Sequence, residues 1–393
     1  MARFIAIPVG QGDAFYLELS EGSCLVDGGK SRTYFAELFR RCTRKDGVDV
    51  LIVTHNDADH ASGILGFLEA GLGCHEVWLP GRWAQVLPYA LRPWEEVVAL
   101  LVEGVEALGN EVRLAEHVDS VFEQYGEQVR NVIEWEEGGQ VECDERGWPQ
   151  EMVASLEKYW LDEDLLVVFP AWYLDQDVYF YVWPWRYPFD EQRWYLFREA
   201  LVAAARIRQI AMAAFHRGVR VRWFQYSTNP AGGNQWLRPL SAREIVAVPI
   251  VRLRGRSEGE EFFLLLSLTT VNKESLVFWS SPEAGSPGVL FTGDSDLEEV
   301  VLPSAHKPIV TTPHHGSAAN AQAYARVQSV IRDAIWIRSD GNYRSRPCPE
   351  FLQQSLRFCT LCRGGTHAKQ KVTLFMQRGR WKRAQGVTTC VCV

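Results

Sequence analysis

The segment 51–63, "LIVTHNDADHASG", carries an apolar β-branched run straight into four ligand-type side chains, His55, Asp57, Asp59 and His60. The run "VDVLIVT" has the composition of a buried strand, and "SGILGFLEAG" behind the cluster reads as an amphipathic helix that stops at glycine. A strand-to-helix turn is where side chains can converge on the edge of a sheet. Two imidazoles and two carboxylates in such a turn are the donors that a divalent metal takes.

The same grammar, a strand ending in a ligand-type residue, recurs along the chain. It appears as "SCLVDGG" with Asp27, "VLFTGDSD" with Asp294, "IVTTPHHGSAAN" with His314 and His315, and "AIWIRSDGNYRSRP" over 334–347. A metal site assembled from distant segments needs this arrangement, because each strand delivers one or two donors to a common edge.

The order His55-x-Asp57-x-Asp59-His60, then Gly293-Asp294, then His314-His315 resembles the metallo-β-lactamase superfamily. With "VGQGDA", "LVDGG", "NKESLVF", "FTGD" and "PHHGS" added, the pattern is similar to the soluble hydrolase domain of the DNA-uptake competence channel ComEC and its stand-alone relatives. The resemblance covers about residues 1–82 and 200–350. It implies an α/β fold, an αββα sandwich, interrupted by a large acidic, aromatic-rich insertion. The expected divisions are 1–83 and 191–393 for the two halves of the hydrolase, with 84–190 as an inserted lid or partner-binding subdomain.

The resemblance also implies a division of roles. His55 and Asp57 would serve one ion, Asp59 and His60 the second, with His314 or His315 completing it and Asp294 bridging the two. Adjacent histidines at a strand end are expected not to point inward together easily. Asp59 and Asp294 are the expected catalytic carboxylates, and Asp27 would orient a ligand histidine from behind. Where the superfamily places a further histidine upstream of "TGD", this chain offers Asn272. With Asp57 at the second motif position, the donor set is oxygen-rich, which favours manganese or magnesium, while the general affinity order favours zinc. The expected cofactors are two divalent ions, manganese or zinc.

Net charge is −8, but unevenly spread. Residues 91–165 hold 20 acidic against 5 basic side chains, and 331–393 hold 12 basic against 3 acidic. The basic segment, with Arg338, Asn342, Arg344 and Arg346, is the expected substrate-binding surface for a phosphate backbone. Arg346-Pro347 stands where relatives carry a final His-Pro. The aromatic run near the end of the insertion, including Trp160, Trp172, Trp183 and Trp185, suits packing or a protein partner. The insertion's single histidine, His117, leaves it without a ligand cluster of its own.

No signal-peptide pattern opens the chain and no apolar run reaches the roughly 18 residues of a membrane span, so a cytoplasmic protein without membrane contact is expected. Nine cysteines are then expected to be reduced. Cys359-x-x-Cys362, His367 and Cys390-x-Cys392 read either as a small zinc site or as buried thiols beside a C-terminal strand. "GQGDA" lacks the lysine of a phosphate-binding loop, and no serine–histidine–aspartate set competes. The functional expectation is a metal-dependent nuclease or phosphodiesterase acting on nucleic acid, DNA in preference to RNA, in bacterial nucleic-acid handling or phage defence. The alternatives are a small ester, thioester or lactam hydrolase, or a metal-stabilised scaffold that recruits a protein.

Overall fold

Alternation along short strands sets the layers. In Phe15–Glu18, Phe15 and Leu17 face one core while Tyr16 faces the other side, edge-on to Phe39 at 5.8 Å. Phe4 and Ala6, Cys24 and Val26, and Val50 and Ile52 repeat that two-residue period, which a strand requires when both of its faces are covered. The computed structural model describes residues 2–107, 135–158, 191–253, 274–281, 287–341, 346–366 and 368–393.

Among the described residues, one sheet of nine strands runs in the order Arg380–Arg383, Val372–Gln377, Arg3–Ala6, Phe15–Glu18, Ser23–Val26, Gly47–Ile52, Gly73–Pro80, Arg220–Tyr226, Ala242–Ile245. A second sheet of six runs Arg357–Cys359, Ile335–Arg338, Ile309–Thr311, Val289–Phe291, Phe278–Ser280, Leu237–Pro239. Their inner faces meet through Phe4 and Phe15 against Phe291, and Trp78 against Phe278. The outer face of the second sheet presents Trp279, Leu290, Val310 and Trp336, and Tyr324 of the helix Ala321–Val330 packs on Trp336 at 4.6 Å. Helices Phe35–Thr43 and Ala58–Glu69 cover the first sheet and join through Phe39 and Phe67. The result is the αββα sandwich that the resemblance implies.

Four consecutive strands of the first sheet, Ser23–Val26 to Arg220–Tyr226, are parallel, as are Val289–Phe291, Ile309–Thr311, Ile335–Arg338 and Arg357–Cys359 in the second. Parallel strands bring their C-terminal ends to one edge, and there the ligand-bearing loops emerge. This unit comprises Met1–Gly81, Val219–Ile245 and Asn272–Val393.

A second unit comprises Arg82–Gly218 and Val246–Val271. It contains the helices Trp94–Ala107, Gln150–Lys158 and Glu191–His216, and an antiparallel pair of Trp135–Glu142 with Ala247–Leu253. Helix Glu191–His216 groups with this unit, whereas the sequence reading places it in the C-terminal half. Buried Arg208 closes the helix that ends at Ala90. Its Nη1 donates to the carbonyls of Ala90 and Arg92 at 3.2 and 2.7 Å, and the guanidinium lies over Trp94. Trp160, Trp172, Trp183, Trp185 and His117 lie outside the described residues, and no helix among the described residues is long and apolar enough to cross a membrane.

Candidate metal centre

Asp27 leaves its strand in a left-handed conformation, φ 58°, and its carboxylate turns inward. Oδ1 accepts from the Thr54 amide at 2.9 Å, and Oδ2 accepts from the Thr54 hydroxyl and from His60 Nδ1, both at 2.7 Å. An ionised carboxylate only accepts, so His60 carries its proton on Nδ1 and keeps the Nε2 lone pair for the interior. The Thr54 hydroxyl spends its proton on Asp27, leaving its oxygen to accept from His55 Nδ1 at 3.0 Å. That fixes His55 with Nε2 facing Asp57 and Asp294, each at 3.6 Å.

His60 stands in the first turn of the helix Ala58–Glu69, and close packing holds that turn against "VDGG". A β-carbon at Gly63 would lie 2.0 Å from the Gly28 carbonyl oxygen, so only glycine permits the approach. Gly12, at φ +90°, plays the same part for "VGQGDA": a β-carbon there would lie 1.7 Å from the Asp59 carbonyl oxygen. The Asp13 amide donates to that carbonyl at 3.1 Å, and the Asp13 carboxylate is thereby buried beside His315, Oδ1 to Nδ1 at 3.1 Å.

His314 and His315 are consecutive non-glycine residues in the left-handed region, φ 47° and 55°. Such backbone is costly and recurs at functional sites. Here it turns both rings toward one carboxylate, with each Nε2 3.6 Å from Asp294 Oδ2. The expectation that adjacent histidines would not face inward together is therefore corrected. His314 is the more exposed of the two, and its Nδ1 meets Asn320 Oδ1 at 3.1 Å.

The donors fall into two groups that share Asp294: Asp13, His60, His315 and Asp294, and His55, Asp57 and Asp294. Asp59 Oδ2 adds to the first, 3.3 Å from His315 Nε2. His60 Nε2 lies 3.0 Å from Asp294 Oδ1 and 3.1 Å from His315 Nε2. Two imidazole lone pairs that face each other at this distance demand a cation between them. Metal–nitrogen bonds of about 2.0–2.1 Å would put two tetrahedral ligand nitrogens about 3.3 Å apart. Asp13 Oδ1 and Oδ2, His55 Nε2 and Asp294 Oδ1 are buried without a hydrogen-bond partner. Buried polar atoms are rarely orphaned, and these converge, so a divalent ion fits each group.

Electrostatics agree. Burial alone would lower the pKa of His60, but Asp294 and Asp27 raise it well above the ordinary histidine value. Burial likewise opposes the charge on His315, and Asp294, Asp13 and Asp59 overcome it. Asp294 and Asp59 are held below the carboxylate range despite their burial, chiefly by these histidines. Asp13 is the exception, because burial pushes its carboxyl up and outweighs His315.

Two residues that sequence reasoning gave no role belong here. Asp13 lies in "VGQGDA", a motif that was legible without showing where its carboxylate points. Ser275, in "NKESLVF", accepts from the Asp294 amide at 3.0 Å and meets His55 Nδ1 at 3.1 Å. Asn272, Asn342 and Arg344 lie outside the described residues. Arg338 is corrected. It is fully buried, with Nε donating to the His315 carbonyl at 2.6 Å and Nη2 donating to Asp340 and to the Gly341 carbonyl, so it braces the loop and cannot meet a phosphate in solvent. Arg346 also pairs with Asp340, Nε to Oδ2 at 3.1 Å, and is mostly buried.

Residues 7–122 match the family described as the metallo-beta-lactamase superfamily. The match takes in Asp13, Asp27 and the cluster from His55 to His60, while Asp294, His314 and His315 lie beyond it. The αββα layering around the site is consistent with that superfamily's fold. No curated protein matches the chain.

Proposed function

We propose that the chain is a metal-dependent hydrolase that cleaves phosphodiesters of nucleic acid, DNA in preference to RNA. The observation that carries this reading is the convergence of two donor groups on one buried carboxylate, Asp294. Divalent ions there supply Lewis acidity and a nucleophilic water at neutral pH, so no side-chain nucleophile is required. His55 and Asp57 would hold one ion, and Asp13, Asp59, His60 and His315 the other. Asp27, Thr54 and Ser275 keep the imidazoles in the tautomers that binding needs. Asp57 and Asp59 keep 35% and 18% of their side-chain surface and mark the side from which a substrate reaches the centre. Four of the seven donors are carboxylates, Asp13, Asp57, Asp59 and Asp294, and this hardness favours manganese over zinc.

The substrate class is supported by a groove of about 930 Å³ in the same unit. It is lined by Arg41, Arg44, Arg363, Lys369 and Lys371 against a single carboxylate, Glu37. Its wall at Pro8 and Val9 leads into the turn that delivers Asp13. The Lys369 amine reaches over Gly10 of that turn, 3.1 Å from where a β-carbon would sit. A cationic groove beside a metal centre suits a polyanion better than a lactam or thioester.

The test is cleavage of single-stranded and duplex DNA by metal-depleted protein reloaded with manganese or zinc, with a thioester and a lactam as competing substrates. DNA cleavage restored best by manganese, and reduced to background in Asp59→Ala and Asp294→Ala, is the expected result. Turnover of the small substrates alone would overturn the substrate class. Full turnover by both variants would overturn the two-ion centre, and metal uptake without any turnover would favour a scaffold.

A further inference from the structure

Four cysteines stand apart from the hydrolytic site. Cys359 ends the strand Arg357–Cys359, the edge of the six-stranded sheet, and Cys362 lies in the turn after it. Cys390 and Cys392 belong to the tail that follows Arg380–Arg383, the edge of the nine-stranded sheet. The tail returns to the other sheet, where the Cys390 amide donates to the Arg357 carbonyl at 2.9 Å.

All four side chains are buried and none is in a disulfide. Their sulfurs lie 3.9 Å apart for Cys359 and Cys392, 3.9 Å for Cys362 and Cys390, and 3.6 Å for Cys362 and Cys392. A disulfide needs about 2.05 Å. Four sulfurs around zinc, with bonds of about 2.3 Å at the tetrahedral angle, lie about 3.8 Å apart. The Val391 amide also donates to Cys362 Sγ at 3.3 Å, a bond that a thiolate accepts better than a thiol. Thiol packing alone explains burial but gives no reason for four sulfurs to lie all within 4.8 Å of one another.

We propose that Cys359, Cys362, Cys390 and Cys392 form a structural tetrathiolate zinc site that fastens the C-terminal tail across the edge strands of both sheets. Each thiol yields its proton to solvent as its sulfur binds, and zinc keeps its oxidation state. With four protein ligands no coordination position remains for water, so the site is structural. The knot covers an edge that would otherwise offer unpaired backbone groups. It also holds the strand beside Arg338: Cys359 is in register with that residue, and the Thr360 amide donates to the Arg338 carbonyl at 3.1 Å. His367, which the sequence groups with these cysteines, lies outside the described residues.

The experiment is zinc quantitation and cobalt substitution on the full chain, purified with reductant. The expected result is one tightly held zinc lost in the Cys390→Ser/Cys392→Ser variant. Cobalt-loaded wild type should show intense thiolate-to-cobalt charge transfer, which hydrolytic-site nitrogen and oxygen donors cannot give. Should the variant fail to fold, the wild-type cobalt spectrum decides alone. Absence of that charge transfer, rapid reaction of all four thiols in the native chain, or a mass showing two disulfides would overturn the proposal.

Discussion

Arg338 and Asp340 form an ion pair with no exposed side-chain surface, Nη2 to Oδ2 at 3.0 Å, and Asp340 Oδ1 accepts from the Gly12 amide at 2.9 Å. The pair thus ties the loop that bears His315 to the turn that bears Asp13, through Arg338 Nε on the His315 carbonyl. Neither residue touches the donor atoms, yet both fix their backbones.

Arg338→Met is therefore expected to act on stability first. Removing one partner of a buried pair costs about 3–5 kcal/mol, because the other charge stays behind uncompensated. Arg346 still faces Asp340, which puts the loss near the lower end, about 3 kcal/mol. Equilibrium denaturation measures it. A change below about 0.5 kcal/mol, the range of ordinary surface substitutions, would show that the pair does not brace the loop.

Asp27→Asn tests the orientation of His60. The amide oxygen can still accept from Thr54, but its nitrogen presents protons where His60 Nδ1 must donate. Metal affinity should fall about 10- to 100-fold, as it does when such supporting partners are lost. The metal-free chain should also unfold at a lower temperature, because a buried partner of His60 is lost. Titration with manganese or zinc reads the affinity directly. Unchanged affinity would remove Asp27 from the site.

His60 and His315 set the pH dependence of metal uptake. Surrounding carboxylates raise the pKa of both, so in the metal-free chain the pair holds a proton at neutral pH. Two Nε2 atoms 3.1 Å apart cannot both point protons at each other, so one proton is shared between them. The sign follows. A raised folded-state pKa gives the metal-free fold stability that is fully present below the unfolded value, about 6.5, and is lost as pH rises through the raised pKa. Metal binding must expel that proton, so affinity should strengthen with rising pH and about one proton per chain should be released near neutrality. Calorimetry in buffers of different ionisation enthalpy counts it; zero release would mean the pair is already neutral.

The sandwich was legible through the resemblance that the strand-end motifs carry, and the strands and most of the donor residues because they rest on local signals. A two-residue period over Phe15–Glu18 or Val48–Ile52 is visible in a few letters, and His55 to His60 are neighbours. Asp13 was not legible as part of the centre, because its place depends on Gly12 backing onto the Asp59 carbonyl, two segments far apart in sequence. Charge counting misread Arg338. A segment's net charge does not tell which arginine meets Asp340 and a carbonyl inside the core. It also missed Arg41 and Arg44, which join the C-terminal cations only once the strands Arg3–Ala6 and Val372–Gln377 pair.

That pairing leads to a prediction about where the proposed nucleic-acid substrate would lie. Arg41 and Arg44, at the end of the helix Phe35–Thr43, line the groove together with Arg363, Lys369 and Lys371, so one stretch of backbone can meet cations from both segments. Each phosphate neutralised releases counterions and adds about −0.9 to the slope of log K against log salt on duplex, or about −0.7 on single strands. Arg363→Ala/Lys369→Ala should then flatten the slope by roughly 1.8 on duplex or 1.4 on single strands. Arg380→Ala/Lys382→Ala removes as much charge from the exposed strand outside the groove and should leave the slope unchanged. Salt titrations of both variants, with a metal-free chain so that cleavage does not intervene, separate the two surfaces. If the second pair of substitutions flattens the slope and the first does not, the backbone runs along the C-terminal hairpin and the groove serves something else.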